Sequence, residues 1–171
     1  MRKILSLALL CGVALGAYDF SDEDFAINLL EKADWNCVSD MTQKGAGVFQ
    51  FDGRGLSVVL KYGTDSLWTS TDAYVDNLLA RADSLMDSLF VTGRDTMTLW
   101  GGTASVVNYR GFAWDGQRAG RIVALMGNRK LVAVIFVKLG TLEFTAKDET
   151  AIAEFLPGIE VDMKGPGGEG K

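Results

Sequence analysis

The 171-residue chain contains no histidine. That removes Ser–His–Asp and Cys–His catalysis, imidazole-bound zinc or iron, and any imidazole-based pH switch. Two cysteines, Cys11 and Cys37, are too few for a thiolate cluster. No Gly-x-Ser-x-Gly elbow, phosphate loop or dinucleotide fingerprint is present. Gly45-Ala46-Gly47 lacks the third glycine and opens a strand pattern, so it reads as a turn. Asp22-Glu23-Asp24 lacks calcium-loop spacing and suits the first turn of a helix. No cofactor and no metal site are expected. What remains for catalysis is a carboxylate pair, because glycoside hydrolysis needs two carboxyls held about 5–9.5 Å apart. Asp52 and Asp115 are candidates, but each lies in an Asp-Gly dipeptide that turn chemistry explains without catalysis.

Residues suited to binding are more numerous. Residues 17–92 carry thirteen acids and five bases. Residues 96–142 carry one acid, Asp115, against Arg110, Arg118, Arg121, Arg129, Lys130 and Lys138. Such a segment would present a basic face to an acidic partner, or simply a solvated sheet edge and loop tips. Of four tryptophans, Trp35 and Trp68 flank predicted helices and suit packing. Trp100 ends a strand whose same-face neighbours, Thr96 and Thr98, are polar, so exposure is expected there; Trp114 precedes a turn. Tryptophan and arginine are frequent interface anchors. The predicted binding face is therefore Trp100, Arg110, Trp114, Arg118 and Arg121, although tryptophans more often serve as core.

The first residues read as an address. Met1-Arg2-Lys3 precedes an apolar run from Ile4 to Ala17, and Ala14-Leu15-Gly16 fits small-x-small cleavage. Residues 1–16 are expected to be a signal peptide, with cleavage after Ala17 as the alternative, and the chain is expected to be exported to a bacterial periplasm or beyond the cell. The run is shorter than the ~20 residues of a membrane span, and no later segment replaces it. Lipidation at Cys11 is disfavoured, since Leu10 precedes it and apolar Val13-Ala14-Leu15 follows. Cys37 would then be a single thiol: a small buried hydrophobe, an intermolecular disulfide or a reactive group. Losing Arg2 and Lys3 takes the net charge from −5 to −7, which disfavours nucleic acid and anionic lipid as partners.

These residues need elements to hold them, and the pattern predicts one domain over 17–163 with a low-complexity tail over 164–171. A helix is expected over Ser21–Asp34, with a Ser21/Asp24 capping pair, a Phe20/Phe25 staple and Phe25, Ala26, Leu29, Leu30 and Ala33 at helical spacing. Strands are expected near Ala46–Phe51 and Leu56–Tyr62, joined by Asp52-Gly53-Arg54-Gly55. A second helix, Thr71–Leu89, carries the stripe Val75, Leu78, Leu79, Ala82, Leu85, Met86 and Leu89. Strands follow near Thr96–Trp100, Ala104–Tyr109, Gly111–Trp114, Arg118–Met126 and Lys130–Leu139. A helix over Ala146–Leu156 is capped by Thr145 and Asp148 and stopped by Pro157-Gly158, with a short edge strand over Ile159–Met163.

In Leu131–Leu139 both faces are apolar, so both must be covered. Tight glycine turns make neighbouring strands antiparallel. The expected fold class is α+β: an antiparallel sheet covered by helices on both faces, an α/β/α sandwich. Over Gly101–Val161 the order of glycine-turned strands, tight hairpin, final helix and terminal strand resembles the PsbP-like superfamily. That superfamily includes extrinsic oxygen-evolving proteins of photosystem II, a Ran-binding nuclear import factor and exported bacterial proteins. The resemblance implies a non-catalytic module that works by binding another envelope or secreted protein. A carbohydrate-binding accessory domain and a histidine-free hydrolase with paired carboxylates are the alternatives.

Overall fold

Both faces of Leu131–Leu139 are indeed occupied, but not by the layers expected. The structure, a computed structural model, describes residues 18–21, 25–29, 34–43, 45–64 and 68–161. In chain order these form β1 (Asp19–Ser21), β2 (Phe25–Asn28), β3 (Trp35–Gln43), β4 (Ala46–Gly53), β5 (Leu56–Thr64), α1 (Thr71–Asp83), β6 (Ser88–Leu99), β7 (Gly102–Ala113), β8 (Gly116–Gly127), β9 (Lys130–Leu139), α2 (Ala146–Phe155) and β10 (Ile159–Val161). Seven strands make one antiparallel sheet in the order β3-β4-β5-β9-β8-β7-β6, and a second sheet has the order β1-β2-β10.

On the front of the large sheet Val132, Val134, Phe136, Val123, Phe49, Phe51 and Leu60 form one core with Phe25 and Ile27 of the small sheet and Leu29 just after β2. Ala151, Ile152 and Phe155 of α2 complete it. On the back, Leu131, Ala133, Ile122, Ala124, Val107 and Tyr109 pack on Tyr74, Val75, Leu78 and Leu79 of α1. The α/β/α sandwich is thus overturned. The molecule is mostly strand, in two antiparallel sheets, and much of the front cover is itself a sheet. At the back, α1 packs mainly on β6, β7 and β8. A helix is about 10 Å across, whereas seven strands span roughly 29 Å; Val48 and Val59, on the back of β4 and β5, stay half-exposed.

The helix expected over Ser21–Asp34 is replaced by β1 and β2. Phe25, Ile27 and Leu29 are buried at a period of two. Phe25 and Leu29 also fit a period of 3.6, so the local pattern was ambiguous. Pairing with β10, from the far end of the chain, decides it: Phe25 sits opposite Val161 and Ile27 opposite Ile159. Asp24, Leu30 and Ala33, like the proposed signal peptide and tail, lie outside the described residues. The second helix ends at Asp83 instead of Leu89, with Ser84 as its C-cap. Beyond it Asp87 donates to the Phe112 carbonyl at 2.8 Å, which starts the β6–β7 pairing. The predicted strands 104–109 and 111–114 are one strand, β7.

The last helix is as the caps indicate. Thr145 and Asp148 form a reciprocal capping box. Three bases then hold α2 against the sheet: Lys138 on Asp148 at 2.9 Å, Arg121 on Glu149 at 2.6 Å, and Arg54 on Glu154. No helix among the described residues is long and apolar enough to cross a membrane.

Candidate functional site

Strand parity brings part of the predicted face together. Arg110 and Phe112 are two residues apart on β7, so their side chains leave the same side of the sheet, and Trp114 comes next in the β7–β8 turn. Phe90 of β6 lies directly opposite Arg110. Phe90, Arg110 and Phe112 belong to the front, because the neighbouring pair Asn108–Arg121 is continuous with Phe136. Trp114 is 91% exposed, Phe90 52% and Phe112 38%. Arg110 is exposed and makes no ion pair among the described residues. The result is an exposed arginine with the exposed Phe90 and Phe112 as its neighbours on the same face, and Trp114 in the adjoining turn.

The remaining predicted residues do other work. Arg118 Nη2 reaches both Asp115 carboxylate oxygens, at 2.6 and 2.8 Å. This bonding holds the Asp115 carboxyl below its usual range. By parity Arg118 lies opposite Gly111 on the back of the sheet. Arg121 is on the front, but it is a fastener. Its two Nη atoms meet Glu149 at 2.6 and 2.8 Å, its Nε donates to Asn108 Oδ1 at 2.6 Å, and its guanidinium lies 5.4 Å from the Phe144 ring centre. Trp100 is a turn residue. It adopts φ 53°, packs partly buried against the front core, and has a buried Nε1–H with no acceptor. Its expected exposure is not found, because the chain reverses at Trp100-Gly101 and folds the ring back onto the sheet.

Phe90 and Phe112 escaped the sequence reading. The signal for Phe112 was there: Arg110 and Phe112 share a parity on one strand, which a break between Tyr109 and Gly111 conceals. Phe90 was masked by extending the preceding helix to Leu89.

Beside this face is a groove of about 210 Å3 between β7, β8 and the β9–α2 connection, lined by Arg110, Ala119, Arg121, Leu142, Glu143 and Phe144 among others. The two carboxylates singled out for hydrolysis do not meet. Asp52 is on β4 and Asp115 is in the β7–β8 turn, three strand spacings away in the order β4-β5-β9-β8. That is about 14 Å, well above the 5–9.5 Å that glycoside hydrolysis requires. No cluster of three or more potential metal-ligating side chains exists among the described residues. Cys37 is half-buried on β3, and desolvation, followed by the nearby Asp40 charge, raises its thiol pKa, opposite to what a reactive thiolate needs.

No protein-family model matches the chain, and no curated protein matches it. Solved structures do. Cyanobacterial PsbP (CyanoP) from Synechocystis sp. PCC 6803 superposes with a TM-score of 0.55, covering 91% of this chain and 98% of its own at 16% identity. A protein of unknown function, PA94 from Pseudomonas aeruginosa, described as a putative regulator, gives 0.47 at 14% identity, covering 81% and 92%. The first likeness is one of fold: the chain has a PsbP-like architecture. The sequence resemblance in element order is therefore sound, although it was framed within the wrong layer arrangement.

Proposed function

We propose that this chain is an exported, non-catalytic binding module that docks another envelope or secreted protein through Phe90, Arg110, Phe112 and Trp114. The observation carrying this reading is Arg110, exposed and without an ion pair among the described residues, beside the exposed Phe90 and Phe112 on one face. Exposed aromatics and an uncommitted arginine are the composition of interface anchors. Arg118 and Arg121, whose charges are already matched internally, fall outside the contact. A partner surface bearing acidic groups among apolar ones complements it, and the association weakens with salt. Export rests on the Met1–Ala17 pattern, and mass spectrometry of the mature N-terminus checks it. The docking test uses immobilised protein and envelope extract of the source cell at low salt. The wild-type chain retains a protein that Arg110→Glu and Trp114→Ala do not. Retention by all three, or by none, overturns the reading.

A second reading has one observation in its favour. Trp114, almost fully exposed on a turn, offers a flat ring to a sugar. Glycan-array binding lost in Trp114→Ala but kept in Arg110→Glu would select it over protein docking.

A further inference from the structure

The groove beside the docking face holds four charged side chains that sort into two kinds. Arg121 and Glu149 face each other in a two-pronged ion pair and cancel. Arg110, on the sheet side, and Glu143, on the β9–α2 connection, have no ion-pair partner among the described residues. The groove therefore presents one open cation and one open anion, with Leu142 and Phe144 as its apolar surface.

The connection bearing Glu143 is already fixed. Gly140 N–H donates to the Gln117 carbonyl at 2.8 Å, tying its start to β8. The Thr141 hydroxyl donates to the Glu143 carbonyl at 3.1 Å and accepts from the Glu143 N–H at 3.3 Å. Phe144 rests on Arg121, and Thr145 begins α2. A wall held in place beforehand loses little entropy when a ligand arrives.

We infer that this groove binds a small zwitterion, a free amino acid with an apolar side chain. Its carboxylate meets Arg110, its ammonium meets Glu143, and its side chain lies over Leu142 and Phe144. About 210 Å3 corresponds to roughly seven waters at ~30 Å3 each. That accommodates one amino acid. Both charges remain close to water, so each contact is weak and the affinity falls on the millimolar scale, about 1 mM.

The site goes beyond protein docking and shares only Arg110 with it. The test is an amide-shift titration of 15N-labelled protein with L-leucine, 4-methylpentanoate and 3-methylbutylamine, the last two each lacking one charge. L-leucine shifts the amides of Arg110, Ala119 and Phe144, and each analogue needs about fivefold more ligand for half the shift. In Glu143→Ala the advantage of L-leucine over 4-methylpentanoate disappears; in Arg110→Ala its advantage over the amine disappears. Absence of shifts at about 10 mM L-leucine, or equal binding of all three ligands to the wild type, overturns the inference. Trp114→Ala keeps L-leucine binding while losing partner capture, so the two readings fail separately.

Discussion

Asp148 is 1% exposed, yet its surroundings favour the charged carboxylate. Burial alone raises its pKa; the Thr145 N–H, the Lys138 ammonium and the Thr145 hydroxyl outweigh that and bring it below 3.8. A carboxyl depressed on folding stabilises the protein above its unfolded pKa, and this contribution fades as pH falls through the folded value. Acid unfolding below about pH 4 should therefore be less steep in Asp148→Asn. At neutral pH the same substitution leaves Lys138 unpaired beside α2 and lowers unfolding free energy by about 2 kcal/mol in urea denaturation. Tyr109 shows the opposite sign. Burial pushes its phenol up to about 12, against a smaller lowering by Arg118. Its stabilisation is complete below pH 10 and is lost as pH rises from about 10 to 12. Tyr109→Phe, which keeps the packing, should flatten alkaline unfolding over that window, read by near-ultraviolet circular dichroism. Trp114→Ala should change thermal stability by less than about 0.5 kcal/mol, since its ring touches water rather than core.

Among elements, β8 and β7 fit each other through an empty position. A Cβ at Gly120 would stand 2.0 Å from the Tyr109 ring carbon bearing the hydroxyl, so the ring lies flat across the glycine opposite it. Gly120→Val should cost about 1–3 kcal/mol by forcing that ring away, measured by chemical denaturation, and Gly120→Ala less. Elements with strong local rules were legible in the sequence. The Thr145/Asp148 box fixed the start of α2, and Asp52-Gly53-Arg54-Gly55 fixed the β4–β5 hairpin. β1 and β2 were not legible, because their partner is β10, and no local window contains it. β3 was missed because its residue types do not follow its burial: Val38 and Met41 are exposed while Ser39 is half-buried. At the candidate site, charge identified Arg110 and turn position identified Trp114. Which arginines were already occupied depended on Asp115, Glu149 and Asn108, contacts that only folding reveals.

At the scale of the molecule, the large sheet ends in β3 on one side and β6 on the other, with no further strand paired to either among the described residues. β6 is an edge strand of twelve residues, mostly exposed on both sides. Its stretch Thr96-Met97-Thr98-Leu99 carries no charge, lysine or proline to deter another strand. Arg94 is drawn aside to Asp76 of α1 at 2.6 Å. Met97→Lys should slow heat-induced aggregation, followed by light scattering, without lowering the midpoint of unfolding.

The small sheet joins residues near the start of the chain to its last described strand, with β2 lying between β1 and β10. A ribosome must therefore reach β10 before Phe25 and Ile27 have their far neighbour, and before Phe155 and Ile159 close the front core. Long-range closures of this kind come late. The nascent polypeptide thus stays incompletely packed until β10 has emerged, with the apolar side of β2 still uncovered along that edge.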